Sequence, residues 1–151
     1  MIKYCKLFAV ALMIISCNSN NKKSKHADYS INKEDTTINL QLKDSYNRGK
    51  LIYGDMCVTC HMSNGKGAPK IFPPLAQSDY LKENQKASIR AIKKGLSGQI
   101  NVNEVTYNNV MTALGLSDDE VANVMNYINN SWGNNYGKIV TKEDVTKVIK
   151  N

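Results

Sequence analysis

Residues 57 to 61 read Cys57-Val58-Thr59-Cys60-His61, two thiols three positions apart with an imidazole directly after the second. One helical turn brings such thiols to the same edge of a helix. That spacing suits covalent attachment of one haem c, each sulfur in a thioether and His61 turned toward the iron as a nitrogen ligand. Thioethers make loss of the cofactor a bond-breaking event. Two other uses of paired thiols fit less well. A structural zinc site takes four Cys or His ligands, and beyond these three the chain offers only Cys5, Cys17 and His26, all in a segment that reads as leader and tether. A redox dithiol asks for a preceding buried strand, whereas the residues before Cys57 follow a helical pattern.

An iron bound on one face by His61 has a second face, and what closes it separates a carrier from a catalyst. His26 is the only other histidine and lies in the tether. Met56 and Met62 flank the attachment motif on the His61 side, and Met125 falls in an apolar helical stripe. Met111 remains, fifty residues after His61 in irregular sequence. Core packing is the ordinary role of a methionine, but here a haem supplies a specific partner for the thioether, so Met111 is expected as the second axial ligand.

These residues need elements to position them. Gly49 and Tyr53 share a helical face just before Cys57, small against large, which suggests a close helix crossing. Residues 63 to 75 are rich in Gly and Pro, with Ser63 and Asn64 at their start, and read as loop. A helix is expected over 85 to 94, with Ile89, Ile92 and Leu96 on one side, Lys86, Arg90, Lys93 and Lys94 on the other, and Gly95 ending it. Between 99 and 107 the alternation suits a small hairpin turning at Asn103-Glu104. Ser117 with Glu120 three residues on forms a capping box for a helix striped by Val121, Val124, Met125 and Ile128. Thr141 caps a final short helix whose Val145, Val148 and Ile149 are expected to pack outside an already complete core.

The N-terminal part reads differently. Lys3 and Lys6 precede nine apolar residues, 7 to 15, too few at about 1.5 Å each to cross a hydrocarbon core of about 30 Å, which marks a signal peptide over 1 to 16. Ile14-Ile15-Ser16-Cys17 resembles the box at which bacterial lipoproteins are cut and acylated, so Cys17 is expected to carry lipid. Residues 17 to 43 are mostly polar and read as a flexible tether, in which Ile38, Leu40 and Leu42 alternate as in a short strand. A haem domain over 44 to 133 and a C-terminal extension over 134 to 151 complete the organisation. Loss of Lys3 and Lys6 lowers the net charge from +7 to +5, 18 basic against 13 acidic residues. That balance, without a dense basic face bearing stacking aromatics, argues against nucleic acid as a partner.

Together, Gly49/Tyr53, the Cys57–His61 motif, Pro74-Leu75, Met111 and Ser131-Trp132-Gly133 resemble the class I monohaem cytochromes c over residues 46 to 132, and most closely the small domains serving respiratory oxidases, copper nitrite reductases and quinoprotein dehydrogenases. The resemblance implies an all-α cytochrome c fold of three to five helices around one covalent haem, with a small β-hairpin before the Met ligand loop. It also implies a proline carbonyl accepting the second imidazole N–H, carried here to Pro74, with Pro73 beside it. In the family Pro commonly follows the Met ligand; here Thr112 and Ala113 follow Met111. The function implied is electron transfer and not catalysis: a lipid-anchored carrier in the bacterial envelope, its haem domain in the periplasm. The implied donor is a quinol-oxidising complex or dehydrogenase, and the acceptor a terminal oxidase or nitrite reductase. A gas sensor or peroxidase with a labile sixth ligand, and a dedicated haem subunit of one respiratory complex, are the alternatives.

Overall fold

A computed structural model describes residues 33 to 151, and the signal peptide, Cys17 and His26 lie outside them. Among the described residues, six helices and one two-stranded ribbon follow in order: α1 Lys33–Met56, α2 Val58–His61, α3 Asp79–Glu83, α4 Gln85–Lys94, β1 Ile100–Val102, β2 Val105–Tyr107, α5 Asp118–Asn129 and α6 Lys142–Lys150. The expected all-α class with a small hairpin is what forms.

Helix α5 is the centre of the core, with every residue from 121 to 129 buried. Its expected stripe, Val121, Val124, Met125 and Ile128, is at most 2% exposed. Ser117 accepts from the Glu120 N–H while the Glu120 carboxylate accepts from the Ser117 N–H and hydroxyl, closing the capping box. Those bonds hold the Glu120 carboxyl below its usual range. Helix α1 crosses α5 at Gly49, where a Cβ would overlap the Asn123 carbonyl. Backbones can approach this closely only where one side chain is absent. The ring of Tyr53 then packs on Tyr127 with centroids 5.2 Å apart. Three asparagines of α5 are also buried, and Asn126 bonds both the N–H and C=O of Val140 at 2.8 Å.

Three sequence expectations about boundaries change. Helix α1 starts at Lys33, so residues 33 to 43 are helical and neither a tether nor a short strand. Leu40 is 59% exposed, so burial of an alternating face does not organise this stretch. Propagation from the anchored part of α1 explains it, each added residue gaining a hydrogen bond without a new nucleation cost. The second change concerns the tail: Val145 is fully buried and joins the same apolar cluster as α5, so α6 completes the core instead of lying outside it. Thr141 caps α6 as expected, accepting from the Asp144 N–H at 3.2 Å. The third is α3, which sequence reading left out; Ser78 caps it by accepting from the Leu81 N–H at 3.1 Å.

The hairpin turns at Asn103 and Glu104, both with positive φ (49° and 66°), the pairing a two-residue turn of right-handed strands requires. Asn103 and Asp79 secure it by two reciprocal side-chain bonds to each other's N–H.

Candidate functional site

Helix α1 continues almost unbroken into the attachment motif. Cys57 N–H donates to the Tyr53 carbonyl at 3.0 Å, and the Cys57 carbonyl accepts from Cys60 and His61 at 3.2 and 2.9 Å. This turn presents Cys57, Cys60 and His61 to one cleft of about 750 Å³, part of it open to solvent. A second hollow of about 620 Å³ shares Cys57, His61 and Pro73 and runs inward to Leu81, Ile92, Val102 and Ile128. Both are lined mainly by apolar atoms, the environment in which a flat macrocycle is held dry and oriented by few polar groups.

Burial pushes the Cys57 thiol up to about 11, with the neighbouring Cys60 adding to the rise. Among the described residues, no three His, Cys, Asp or Glu side chains cluster in a geometry that could hold a metal ion.

His61 is buried, and its Nδ1 lies 3.0 Å from the Pro73 carbonyl. A carbonyl can only accept, so the proton sits on Nδ1 and the Nε2 lone pair is free for a metal. Burial lowers the pKa of the ring, and the Pro73 bond partly opposes that shift. The acceptor is thus Pro73 and not Pro74, a one-residue correction with a visible cause. Gly67 takes φ +61° and lies against this stretch so tightly that a Cβ would overlap the Phe72 carbonyl and come within 2.7 Å of the Pro73 oxygen. With the loop seated there, the Pro73 carbonyl faces the imidazole. The Gly-rich composition of 63 to 69 announced a loop; it did not announce which carbonyl it would aim.

Met111 faces the same cleft and is only partly exposed, whereas Met125 is fully buried in the core. Its main chain is locked to Leu96 by two bonds, N–H to carbonyl in each direction, both 2.8 Å. Gly95 makes this approach possible: with φ +83°, a Cβ on it would lie 2.7 Å from the Met111 carbonyl. A second tie runs from the Asn109 amide to the Ile71 carbonyl at 3.0 Å, across the mouth of the cleft. These contacts hold the main chain of the Met111 segment, which is followed by Thr112 and Ala113 and not by a proline. Met56 also lines the mouth, 47% exposed, one residue before Cys57 and on its side.

Two thiols and an imidazole on one wall, a thioether on a segment bounding the same apolar cleft, and α1 crossed on α5 at a glycine define a protein built around a covalently held haem. The cytochrome c family model matches residues 46–132, more than half the chain, and the protein belongs to that family. It therefore carries a covalent c-type haem and serves electron transfer. Cytochrome c-552 of Thermus thermophilus is 41% identical over 90 residues, covering 56% of this chain and 68% of that one. The cytochrome c subunit of alcohol dehydrogenase (quinone) from Gluconobacter oxydans is 30% identical over 115 residues, 75% of this chain and 24% of that subunit. The cytochrome c subunit of gluconate 2-dehydrogenase from Pantoea cypripedii is 31% identical over 110 residues, 71% of this chain and 25% of that subunit. The chain thus spans about a quarter of the length of these dehydrogenase subunits.

Proposed function

We propose that the protein is a tethered single-electron carrier in which Cys57 and Cys60 hold the haem and His61 and Met111 close the two faces of its iron. The observation carrying this reading is that Met111 and His61 border one apolar cleft, each on a main chain fixed by its neighbours. Haem held there would supply a metal that gains and loses one electron, and thioether ligation by Met111 would favour its reduced form. The chain's own residues exclude water, fix the imidazole proton on Nδ1 and hold Met111 in place, so little need move on electron transfer. Lipid on Cys17 would keep the haem domain at the outer face of a bacterial membrane, in the periplasm. Among the described residues no helix is long and apolar enough to cross a membrane.

Similarity to cytochrome subunits of dehydrogenases supports a dehydrogenase as donor; a quinol-oxidising complex is the other candidate, and a terminal oxidase or nitrite reductase would accept the electron. The same similarity favours a second reading, a haem module fixed in one respiratory complex. Purification from membranes separates the two, since a carrier leaves as a monomer and a subunit leaves with its complex.

The ligand set is tested by spectroscopy. The ferric protein is expected to be low-spin with a weak long-wavelength sulfur-to-iron band, and the ferrous protein to resist carbon monoxide at neutral pH. Met111→Ala should open the iron to carbon monoxide and peroxide and lower the potential. Met125→Ala should cost about 2 to 5 kcal/mol of stability, as large-to-small core changes do, and leave ligation alone. Ready carbon monoxide binding by the unaltered protein would favour a sensor or peroxidase.

A further inference from the structure

Asn134 stands just past α5, only 6% exposed. Its carboxamide joins three main-chain groups: Oδ1 accepts from the Gln77 N–H at 2.7 Å, and Nδ2 donates to the Leu75 carbonyl at 2.9 Å and to the Ile128 carbonyl at 2.8 Å. Ile128 belongs to the last turn of α5, where carbonyls lack partners within the helix. One buried side chain therefore bolts the segment after Pro73-Pro74 to the most buried helix of the core.

That segment has few other anchors. Neither proline carries an N–H, so no main-chain donor is available at 73 or 74. Leu75 and Ala76 donate to the Gly65 carbonyl at 2.7 and 2.9 Å, which ties the loop to the equally irregular stretch after His61. Gln77 takes φ 52°, a left-handed conformation that a non-glycine residue keeps only where its surroundings hold it. The bond from its N–H to Asn134 is such a hold.

We propose that Asn134 is a positioning residue for the haem iron, acting through the Leu75–Gln77 segment to aim the Pro73 carbonyl at His61 Nδ1. This goes beyond the electron-carrier reading and rests on one part of it, the assignment of His61 as an iron ligand; the identity of the sixth ligand does not enter. A hydrogen bond accepted from the second imidazole nitrogen makes the ring a stronger donor, and a stronger donor favours ferric iron. Loss of that bond weakens the donor and favours ferrous iron.

Asn129 supplies the control. It is 1% exposed and makes two side-chain bonds to Gln85 on α4, so its removal costs comparable stability without touching the Pro73 loop. In holoprotein carrying Asn134→Ala, the reduction potential should rise. The His61 Nδ1 proton should exchange with solvent about tenfold faster, as the loss of one hydrogen bond of ordinary strength implies. Asn129→Ala should leave both unchanged. An Asn134→Ala protein with wild-type potential and exchange overturns the proposal, as does an Asn129→Ala protein that shifts both equally. If Asn134→Ala does not assemble, the unaltered protein decides: the His61 Nδ1 proton and the Gln77 amide should show the same protection, and unequal protection counts against a shared mechanical link. His61→Ala distinguishes the two levels. An unchanged haem spectrum in that variant refutes the ligand assignment itself, whereas a changed spectrum together with an unmoved Asn134→Ala potential refutes only the role of Asn134.

Discussion

Gly67 shows how a residue with no functional group can govern one that has. The Pro73 oxygen reaches His61 Nδ1 because nothing on Gly67 stands in its way. Gly67→Ala combines two effects, a left-handed φ that costs roughly 1–2 kcal/mol for a side chain and a methyl group overlapping two carbonyls. The first is separable. Gly98 takes φ +93° with nothing within 4 Å of an added Cβ, so Gly98→Ala meets backbone strain alone. Thermal unfolding should show Gly67→Ala as clearly the less stable of the two, and potentiometry should show a raised potential in Gly67→Ala but not in Gly98→Ala. Equal potentials in the two variants would detach Gly67 from the imidazole. None of this was legible in the residues 63 to 69, where a second glycine in a loop is ordinary; the close packing appears only once the chain has turned back on itself. By contrast Cys57, Cys60 and His61 were legible because their chemistry is local, contained within one helical turn. The expectation for Met111 rests on excluding other methionines, an argument open only to a chain with few of them.

At the scale of elements, the sequence spoke most clearly where a helix announces its own ends. Ser117/Glu120 and Thr141 cap their helices as expected, and Gly95 ends α4. The start of α1 was hidden because its first turns have little to bury and only polar composition to judge by. The place of α6 was hidden for another reason: an amphipathic helix declares an apolar face but not what meets it. Val145 fills the core beside α5, and Asn126 holds Val140 on the way there. Truncation after Gly137 should therefore cost on the order of 4 kcal/mol, from two buried valines and the two lost bonds between Asn126 and Val140. That is a large share of a typical domain stability of 5–15 kcal/mol. The folded fraction should keep its visible spectrum, since α6 borders neither hollow of the cleft. A truncated protein melting at the wild-type temperature would show that the tail contributes nothing to the core.

For the whole molecule, the question is how a compact haem domain comes to stay near its partners. Helix α1 changes the geometry of any tether: residues 33 to 43 are helical, about 1.5 Å per residue, where a flexible chain had been expected. A lipid on Cys17, as proposed, would keep the haem domain at the membrane, which favours repeated encounters with membrane-embedded redox complexes over diffusion through the envelope. Cys17→Ser should release a haem-loaded domain with unchanged spectrum and unchanged electron exchange with small mediators, while electron delivery to membrane-bound acceptors falls. Fractionation of cells followed by intact-mass measurement of the membrane form checks the anchor directly. A membrane form whose mass requires an unmodified Cys17, or a Cys17→Ser protein that still sediments with membranes after a salt wash, would leave the anchoring proposal without support.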